Sequence, residues 1–372
     1  MLSYFIWNGS PEIFSIGSFS LRWYGLLFAG GFLVSQQILI YIFKKEGKPT
    51  KDVDTLTVYM VIATVLGARL GHVIFYQPEL FLTDPLSIIL PFEFSPSFRF
   101  TGLTGLASHG GAIGIFIALW LYARKRKPGQ NYLQILDRIA IVVAITGCFI
   151  RMGNFFNSEI IGVPTNSPFG VVFMNRVEQT LLDKGNGKNP IESLSITKNT
   201  DLPNGANGRV PLQIYLFFTT GSDPVSISSY IRTNVKYYLS QLDEFVDEPV
   251  SEPARFKLVE ESSGTIAARV QTFGIARHPA QLYESISCLF LFLFLFWYWN
   301  KYKNDLPPGR LFAYFMIILW SLRFSYEFIK ENQVDFEGDM TLNMGQLLSI
   351  PLLLAGVILL VWTYRKPKNL TS

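Results

Sequence analysis

The chain has 372 residues, of which 49% are hydrophobic and 15% aromatic, while only 16% are charged. A soluble domain of this size carries about 25% charged residues, so the composition indicates a protein that crosses a membrane several times. The net charge of +4 is small, and the basic residues flank apolar segments, so nucleic-acid binding has no support. The two cysteines lie inside apolar segments and predict no disulfide framework.

Seven apolar segments come close to the ~20 residues that a helix needs to cross a bilayer. They comprise residues 21–43, 53–75, 107–123, 132–154, 280–300, 311–328 and 345–364. Basic residues cluster after the first, third, fifth and seventh segments, as in Lys44, Lys45 and the run from Arg124 to Lys127. The short alternate loops are poor in basic residues. The positive-inside rule therefore predicts that the N-terminus lies outside and the C-terminus in the cytoplasm.

A polar stretch between the fourth and fifth segments predicts a separate domain. Residues 213–218 and 267–271 alternate as strands do, and residues 185–189 and 203–208 have the composition of turns. We therefore expect an all-α integral membrane protein of seven transmembrane helices with an extracytoplasmic α+β head domain. The expected division is residues 1–161 for helices one to four, 162–276 for the head, and 277–372 for helices five to seven.

Most polar residues within the segments fall in the half that this orientation turns outward. Asp137 and Arg138, near the inner end of the fourth segment, are the main exception. Polar groups from several helices at one depth indicate a shared polar cavity, since ionisable groups in a membrane are costly and mark function by default. The outward set is Arg22, Tyr24, Arg69, His72, residues 108–111, Arg151, Asn154, Ser158, residues 277–284, Arg323, Glu327 and Lys330.

Helical spacing groups some of these residues. Arg151, Asn154 and Ser158 share one face if the helix continues that far, and Arg323, Glu327 and Lys330 follow at i, i+4 and i+7. Simple structural roles stay open for several. Arg22 and Lys330 are interpreted as interfacial anchors. Arg69 is either a member of a structural ion pair or a residue that binds a ligand. His72 is interpreted as a core histidine, and Glu327 as the partner of Arg323.

Arg151 and Arg323 outnumber the obvious carboxylates at their depth, and an anionic ligand would resolve that excess. Paired guanidinium groups suit a phosphate, because their planar forks donate two parallel hydrogen bonds. His109 adds a candidate general base, and Gly110 beside it permits close approach of the backbone to a ligand. The three histidines lie in separate segments, so no metal site is expected. These residues point to a membrane-embedded enzyme or carrier that acts on an anionic lipid from its outer face.

Seven groups of motifs, in order along all seven segments, match those of a known family. They are FSIG at 14–17 with WYG at 23–25, GARLG at 67–71, HGGAIG at 109–114, RMGNFFN at 151–157 with Glu159 and Gly162, RHPAQLYE at 277–284, RFSYEF at 323–328, and MGQLLSIP at 344–351. The chain resembles the bacterial prolipoprotein diacylglyceryl transferases, inner-membrane enzymes of lipoprotein maturation.

The resemblance implies transfer of the diacylglyceryl group of phosphatidylglycerol to the lipobox cysteine of a preprotein signal peptide, with release of glycerol phosphate and without a cofactor. It implies His109, Arg151 and Arg323 as the catalytic group, although the identity of the base stays open. The expected substrate-binding residues are Tyr24, Arg69, Gly110, Asn154, Asn157, Glu159, Gly162, His278, Tyr283, Glu284 and Glu327.

Two departures from the family's pattern are Leu319, where a tyrosine is usual, and Lys330, where an arginine is usual. The polar stretch is also longer than usual. The main alternative in another class is a transporter or flippase for an anionic lipid or solute, which would use the same arginines as a binding site. Such proteins often carry internal repeats and a midplane site, and neither is found in this sequence. A sensor or scaffold would leave the HGGAIG motif without a purpose.

Overall fold

The structure is a computed structural model that describes residues 4–16, 19–88, 92–93, 99–100, 107–183, 189–260, 266–331 and 340–365. Within these residues the helices are α1 (Trp23–Lys45), α2 (Lys51–Tyr76), α3 (Leu80–Thr83), α4 (Ser108–Ala123), α5 (Tyr132–Asn157), α6 (Asn175–Leu182), α7 (Pro224–Tyr230), α8 (Lys236–Ser240), α9 (Ala280–Tyr302), α10 (Arg310–Tyr326) and α11 (Met344–Arg365).

Five of these helices are long and apolar enough to cross a membrane, namely α1, α2, α5, α9 and α11. The predicted third and sixth segments are also helical, but α4 has 16 residues and α10 has 17. At 1.5 Å per residue they reach about 24 to 26 Å, somewhat less than the ~30 Å hydrocarbon core. The chain is thus a mostly helical membrane protein, and the number of seven spans stays a prediction.

Two of the long helices begin with the same local device. The side chains of Asn131 and Gln134 each accept a hydrogen bond of 3.0 Å from the other's backbone N–H at the start of α5. Asn343 and Gln346 do the same at the start of α11, at 3.1 and 2.9 Å. These reciprocal bonds satisfy N–H groups that a helix start leaves without intrahelical partners, which explains why both helices begin where they do.

The strands are β1 (Phe5–Trp7), β2 (Glu12–Ile16), β3 (Phe19–Arg22), β4 (Phe92–Glu93), β5 (Arg99–Phe100), β6 (Val171–Phe173), β7 (Ile191–Lys198), β8 (Arg209–Phe218), β9 (Val246–Asp247), β10 (Arg255–Glu260) and β11 (Ile266–Arg277). The largest sheet has the order β1-β6-β11-β8-β7, and β9 and β10 also pair with β11. The 12-residue β11 is its centre. Both runs predicted as strands, 213–218 and 267–271, lie in this sheet.

One strand of this sheet comes from outside the predicted polar stretch. The N-terminal β1 pairs in parallel with β6, with Phe5 opposite Val171 and Trp7 opposite Phe173. Of the two predicted turns, residues 203–208 form a turn in which Asn207 and Gly208 have positive φ angles of 55° and 74°. The other, at 185–189, lies almost wholly outside the described residues.

The chain divides into two compact units. The first, called the sheet unit, comprises Met1–Gly30, Cys148–Ser287 and Leu322–Ser349, and the second, called the helical unit, comprises Gly31–Gly147, Cys288–Ser321 and Ile350–Ser372. The sheet unit has a core of strand and helix side chains such as Phe173, Leu212 and Val270. The core of the helical unit is built from residues such as Ile42, Leu56 and Trp299.

Candidate active site

Eleven of the fourteen predicted site residues belong to the sheet unit, and three, Arg69, His109 and Gly110, belong to the helical unit. The two groups are therefore described separately. In the sheet unit, most of the charged residues lie at or just beyond the ends of α5, α9 and α10. The other residues lie on α1, at the end of α5, in the loop that follows it and around the start of α9.

Arg151, in the last two turns of α5, forms an ion pair with Glu284 of α9. Its Nε lies 2.5 Å from the Oε2 atom of Glu284. The side chain of Arg151 is 24% exposed, whereas that of Glu284 is 9% exposed. This contact holds the arginine at its inner nitrogen, and the partly exposed side chain can still donate hydrogen bonds to an anion.

Arg323 and Glu327 form a second, looser pair. The Nη2 atom of Arg323 lies 3.5 Å from Oε1 of Glu327, and the arginine side chain is 36% exposed. Glu327 also accepts a 3.1 Å hydrogen bond from Nδ2 of Asn343. A Cβ atom at Gly345 would come within 2.5 Å of the carboxyl carbon of Glu327, so the glycine makes room for this carboxylate.

Lys330 links these two pairs. Its ammonium group forms ion pairs with Glu284 and, at 3.7 Å, with Glu327. The interpretation of Lys330 as an interfacial anchor is wrong, because its side chain is only 3% exposed. Helix α10 ends at Tyr326, so the predicted helical spacing does not extend to Lys330, although all three residues meet through Glu327. Arg22 is well exposed and pairs with Glu12 at 3.3 Å, as an anchor would.

Together these residues form what we call the ion cluster: Arg151, Glu284, Lys330, Glu327 and Arg323. It contains three cations and two carboxylates, so within the described part of the chain it carries one positive charge in excess. An excess of cations is predicted from the sequence, but the part of Lys330 is not, because its carboxylate partner Glu284 lies on α9.

The loop after α5 places Glu159 beside several amide groups. Glu159 accepts hydrogen bonds from Asn154 at 3.4 Å and Asn157 at 3.3 Å, and Arg176 lies 3.5 Å away. Ser158 and Ile160, on either side of Glu159, have positive φ angles of 52° and 56°. Such angles are uncommon for residues other than glycine and strained for a β-branched one.

The helical face predicted for Arg151, Asn154 and Ser158 does not extend to its last member. Helix α5 ends at Asn157, and Ser158 turns away to donate a 2.5 Å hydrogen bond to Asn175. The condition attached to that prediction, that the helix continues, is therefore not met.

Gly162 lies where two other segments pass very close. Its N–H donates to the carbonyl of His278 at 3.0 Å, and it pairs with Lys330 in an isolated bridge. A Cβ atom at this position would lie 2.6 Å from the carbonyl oxygens of both His278 and Ile329. Only glycine fits, because the contacts are with backbone that cannot move aside.

Arg277 is a residue of this region to which the sequence analysis assigned no individual role. It is buried, and it donates from Nε to the carbonyl of Glu244 at 2.6 Å and from Nη1 to that of Gly162 at 3.1 Å. It also forms an ion pair with Glu331. Its place beside His278 in the RHPAQLYE motif was the available signal.

The remaining predicted residues of the sheet unit are aromatic. The Nδ1 atom of His278 lies 3.3 Å from the hydroxyl of Tyr283, and Tyr326 donates to the carbonyl of Tyr283 at 3.3 Å. Burial lowers the pKa of His278 below its ordinary value, so the ring is neutral at neutral pH. Tyr24 packs against α5, where a Cβ atom at Gly153 would come within 2.9 Å of its ring.

In the helical unit, His109 is exposed in the first turn of α4. The ring of Phe75 approaches it edge-on with the centroids 4.9 Å apart, and the ring of Tyr76 is 6.3 Å away. Arg69 donates from Nε to the carbonyl of Ile88 at 3.2 Å. Whether His109 meets the two arginines stays a prediction.

Gly110 makes a close approach to α2. A Cβ atom at Gly110 would overlap the carbonyl of Gly67 and lie 2.7 Å from Cα of Gly71. Gly114 meets α2 in the same way at Ala63. Small residues four apart on both helices let the backbones pack together, as is common between membrane helices. The close backbone approach at Gly110, which the sequence predicts for a ligand, is thus made at least in part by helix α2.

Comparison with known proteins decides which family this arrangement belongs to. A family model described as prolipoprotein diacylglyceryl transferase matches residues 11–362. The chain belongs to the prolipoprotein diacylglyceryl transferase family. All fourteen predicted site residues lie within the matched range.

Three relatives named phosphatidylglycerol–prolipoprotein diacylglyceryl transferase illustrate the similarity. The protein of Bacteroides fragilis is 32% identical over 365 residues, which cover 98% of this chain and 96% of the relative. That of Tolumonas auensis is 31% identical over 357 residues, covering 95% and 96%. That of Chloroherpeton thalassium is 31% identical over 358 residues, covering 96% and 94%. These alignments cover nearly all of both chains, so the similarity to these members of the family is not confined to one part of this chain.

The charge balance of the ion cluster determines which kind of ligand this member of the prolipoprotein diacylglyceryl transferase family can bind there. Guanidinium groups that are partly exposed and not fully neutralised by their carboxylates can donate hydrogen bonds to an anion. Replacing water by such fixed donors stabilises charge that develops on a reacting group.

Proposed function

We propose that this chain transfers the diacylglyceryl group of phosphatidylglycerol to the thiol of a lipobox cysteine in a preprotein signal peptide. The sulfur forms a bond to the glyceryl carbon, the bond between that carbon and the phosphate oxygen breaks, and glycerol phosphate leaves. The product is a thioether. The family membership and the names of the relatives support this reaction, which needs no cofactor.

The observation that carries the proposal is the excess positive charge of the ion cluster. The leaving group is a phosphate ester, on which negative charge grows as the carbon–oxygen bond breaks. Arg151 and Arg323 bind the phosphate before the reaction and stabilise that charge during it. Glu284 and Glu327 orient the two guanidinium groups.

The nucleophile comes from the preprotein, so Cys148 and Cys288 need no part in the reaction. A free thiol has a pKa near 8.5, so a base or a positive field must supply the thiolate. His109 is the candidate base because it is exposed and because imidazole accepts protons near neutral pH.

The other predicted residues shape the lipid site. Tyr24, Asn154, Asn157, Glu159 and Gly162 line the headgroup region, where the amides and the carboxylate match the hydroxyl groups of glycerol. His278 and Tyr283 support the wall formed by the start of α9. Arg69 and Gly110 lie with His109 in the helical unit, and we assign them to the same substrate.

The arrangement in the membrane is part of the proposal. Seven spans in a bacterial inner membrane, with the N-terminus outside and the C-terminus in the cytoplasm, account for the distribution of lysine and arginine. Residues 162–276 then form an extracytoplasmic head between residues 1–161 and 277–372, which carry helices one to four and five to seven. This orientation places the site at the leaflet that a secreted preprotein reaches.

The test uses the full-length protein in detergent with phosphatidylglycerol and a synthetic lipobox peptide. We expect the mass of the peptide to rise by one diacylglyceryl group, and a peptide with serine in place of the cysteine to stay unmodified. If no adduct forms in any detergent or lipid mixture, the proposal is wrong. Movement of phosphatidylglycerol between leaflets of reconstituted vesicles, without an adduct, would instead establish a flippase.

A further inference from the structure

Lys330 is held by both its side chain and its backbone. The ammonium group contacts Glu284 and Glu327, and the side chain is 3% exposed. Its backbone pairs with Gly162, and the N–H of Val163 donates to the carbonyl of the preceding Ile329 at 3.0 Å. The position of this ammonium group is therefore fixed both by its ion pairs and by the pairing of the backbone that carries it.

Each carboxylate of the ion cluster is shared between Lys330 and one arginine. Glu284 meets Lys330 with Oε1 and Arg151 with Oε2. Glu327 meets Lys330 and Arg323 with its Oε1 atom, at 3.7 and 3.5 Å. Five charges thus alternate in sign, with Lys330 in the middle.

The exposure of the three cations differs in a way that separates their roles. Arg151 and Arg323 have side chains 24% and 36% exposed, whereas Lys330 has almost no surface to offer a ligand. Without Lys330, two carboxylates would face two arginines and the excess charge would disappear. Buried carboxylates that lose one cation would also attract the remaining guanidinium group more strongly.

We propose that Lys330 is a positioning residue for phosphate recognition. It takes up part of the charge of Glu284 and Glu327, so that Arg151 and Arg323 stay oriented but not fully neutralised and can still donate hydrogen bonds to the phosphate. Lys330 does not touch the lipid. This inference rests on the proposed function of the same site.

The test compares the kinetics of Lys330→Met and Lys330→Arg in the peptide-modification assay. For Lys330→Met we expect the KM for phosphatidylglycerol to rise at least 10-fold and inhibition by added glycerol phosphate to weaken by a similar factor. The KM for the lipobox peptide should stay within about twofold, and Lys330→Arg should restore most of the lipid affinity.

Lys236→Met is the matched control. Lys236 is also buried and ion-paired, to Glu248 at 2.6 Å, but it belongs to the cluster formed with Thr272 at β11. It should lower the melting temperature without changing the KM for phosphatidylglycerol. If Lys330→Met does not fold, Lys330→Gln keeps a hydrogen-bond donor for the carboxylates and should show the same shift in KM.

The outcomes separate this inference from the proposed function. If the unmodified chain forms no adduct, the proposed function fails. If it forms the adduct but a folded Lys330 variant keeps the original KM and glycerol phosphate inhibition, only the role of Lys330 is refuted. An equal loss of lipid affinity in Lys236→Met would also refute that role, because it would show a general effect of losing a buried ion pair.

Discussion

Each unit contains a group of charged side chains, and the two groups differ in their charge balance although they consist of similar residues. In the helical unit, Glu46 accepts hydrogen bonds from Arg138 at 2.7 Å, from Lys48 at 2.7 Å and from the indole of Trp299 at 2.7 Å. Asp137 accepts from the N–H groups of Gly309 at 2.8 Å and of Phe312 at 2.9 Å. With two cations and two carboxylates, this group has no excess charge.

The ion cluster of the sheet unit differs from this group in its charge balance and in the exposure of its arginine side chains. Its two arginine side chains are 24% and 36% exposed, whereas the side chain of Arg138 is 7% exposed. One of its arginine contacts is as long as 3.5 Å, and one cation has no carboxylate of its own. Buried charges whose hydrogen bonds are all made serve the fold. A group of charged side chains with one excess positive charge and partly exposed hydrogen-bond donors is suited to binding an anionic ligand.

The largest effects are expected from the arginines of the ion cluster. Arg151→Ala and Arg323→Ala should each lower turnover by about 10²- to 10³-fold, as loss of a group that stabilises developing charge does. Arg22→Ala is the control, since Arg22 is exposed and pairs with Glu12 outside the ion cluster. This variant should keep most of the activity. Rates of adduct formation check this, and full activity in Arg151→Ala would contradict the phosphate assignment.

Arg138→Ala tests the other half of the comparison. It leaves Glu46 without its main partner in a buried place, so we expect a loss of about 3–5 kcal/mol in the free energy of unfolding. The fraction that stays folded should keep near-normal activity per molecule. Arg124→Ala, at an exposed residue over the ring of Trp120, should change stability little. A stable Arg138→Ala protein with impaired catalysis would reverse the roles of the two groups.

Much of the helical framework could be predicted because an apolar run long enough to cross a bilayer has few alternatives. The fourth segment was predicted at 132–154 and the helix is Tyr132–Asn157. The three-residue β1 could not be predicted, because so short a strand has no measurable periodicity and its partner β6 lies far along the chain.

The site was harder to predict than the fold, because charge partners come from different helices. Sequence spacing related Glu327 to Arg323 on one helix, and the two do form a pair. It does not relate Lys330 to Glu284, which belongs to α9, and for this reason the sequence alone predicts an anchor at Lys330. Leu319, where the family usually has a tyrosine, packs against the core of the helical unit.

Gly162→Ala should have a smaller effect, through the backbone that supports the ion cluster. The added methyl group would push against two carbonyl oxygens 2.6 Å away, and such overpacking costs about 1–3 kcal/mol. Because Gly162 pairs with Lys330, we expect activity to fall together with the melting temperature. Gly30→Ala is the control, since its nearest contact would be at 4.0 Å. Unchanged stability in Gly162→Ala would show that this contact is not as tight as the geometry indicates.

The smallest effect concerns the protonation of His278. Burial lowers its pKa in the folded protein, so as the pH falls below about 6.5 the unfolded chain takes up the proton first, and stability declines until the pH reaches the folded pKa. Above that window the ring is neutral in both states. Melting temperatures between pH 7.5 and 5.5 should therefore fall less for His278→Gln than for the unmodified chain. Parallel curves would contradict this expectation, because they would mean that His278 titrates alike in both states.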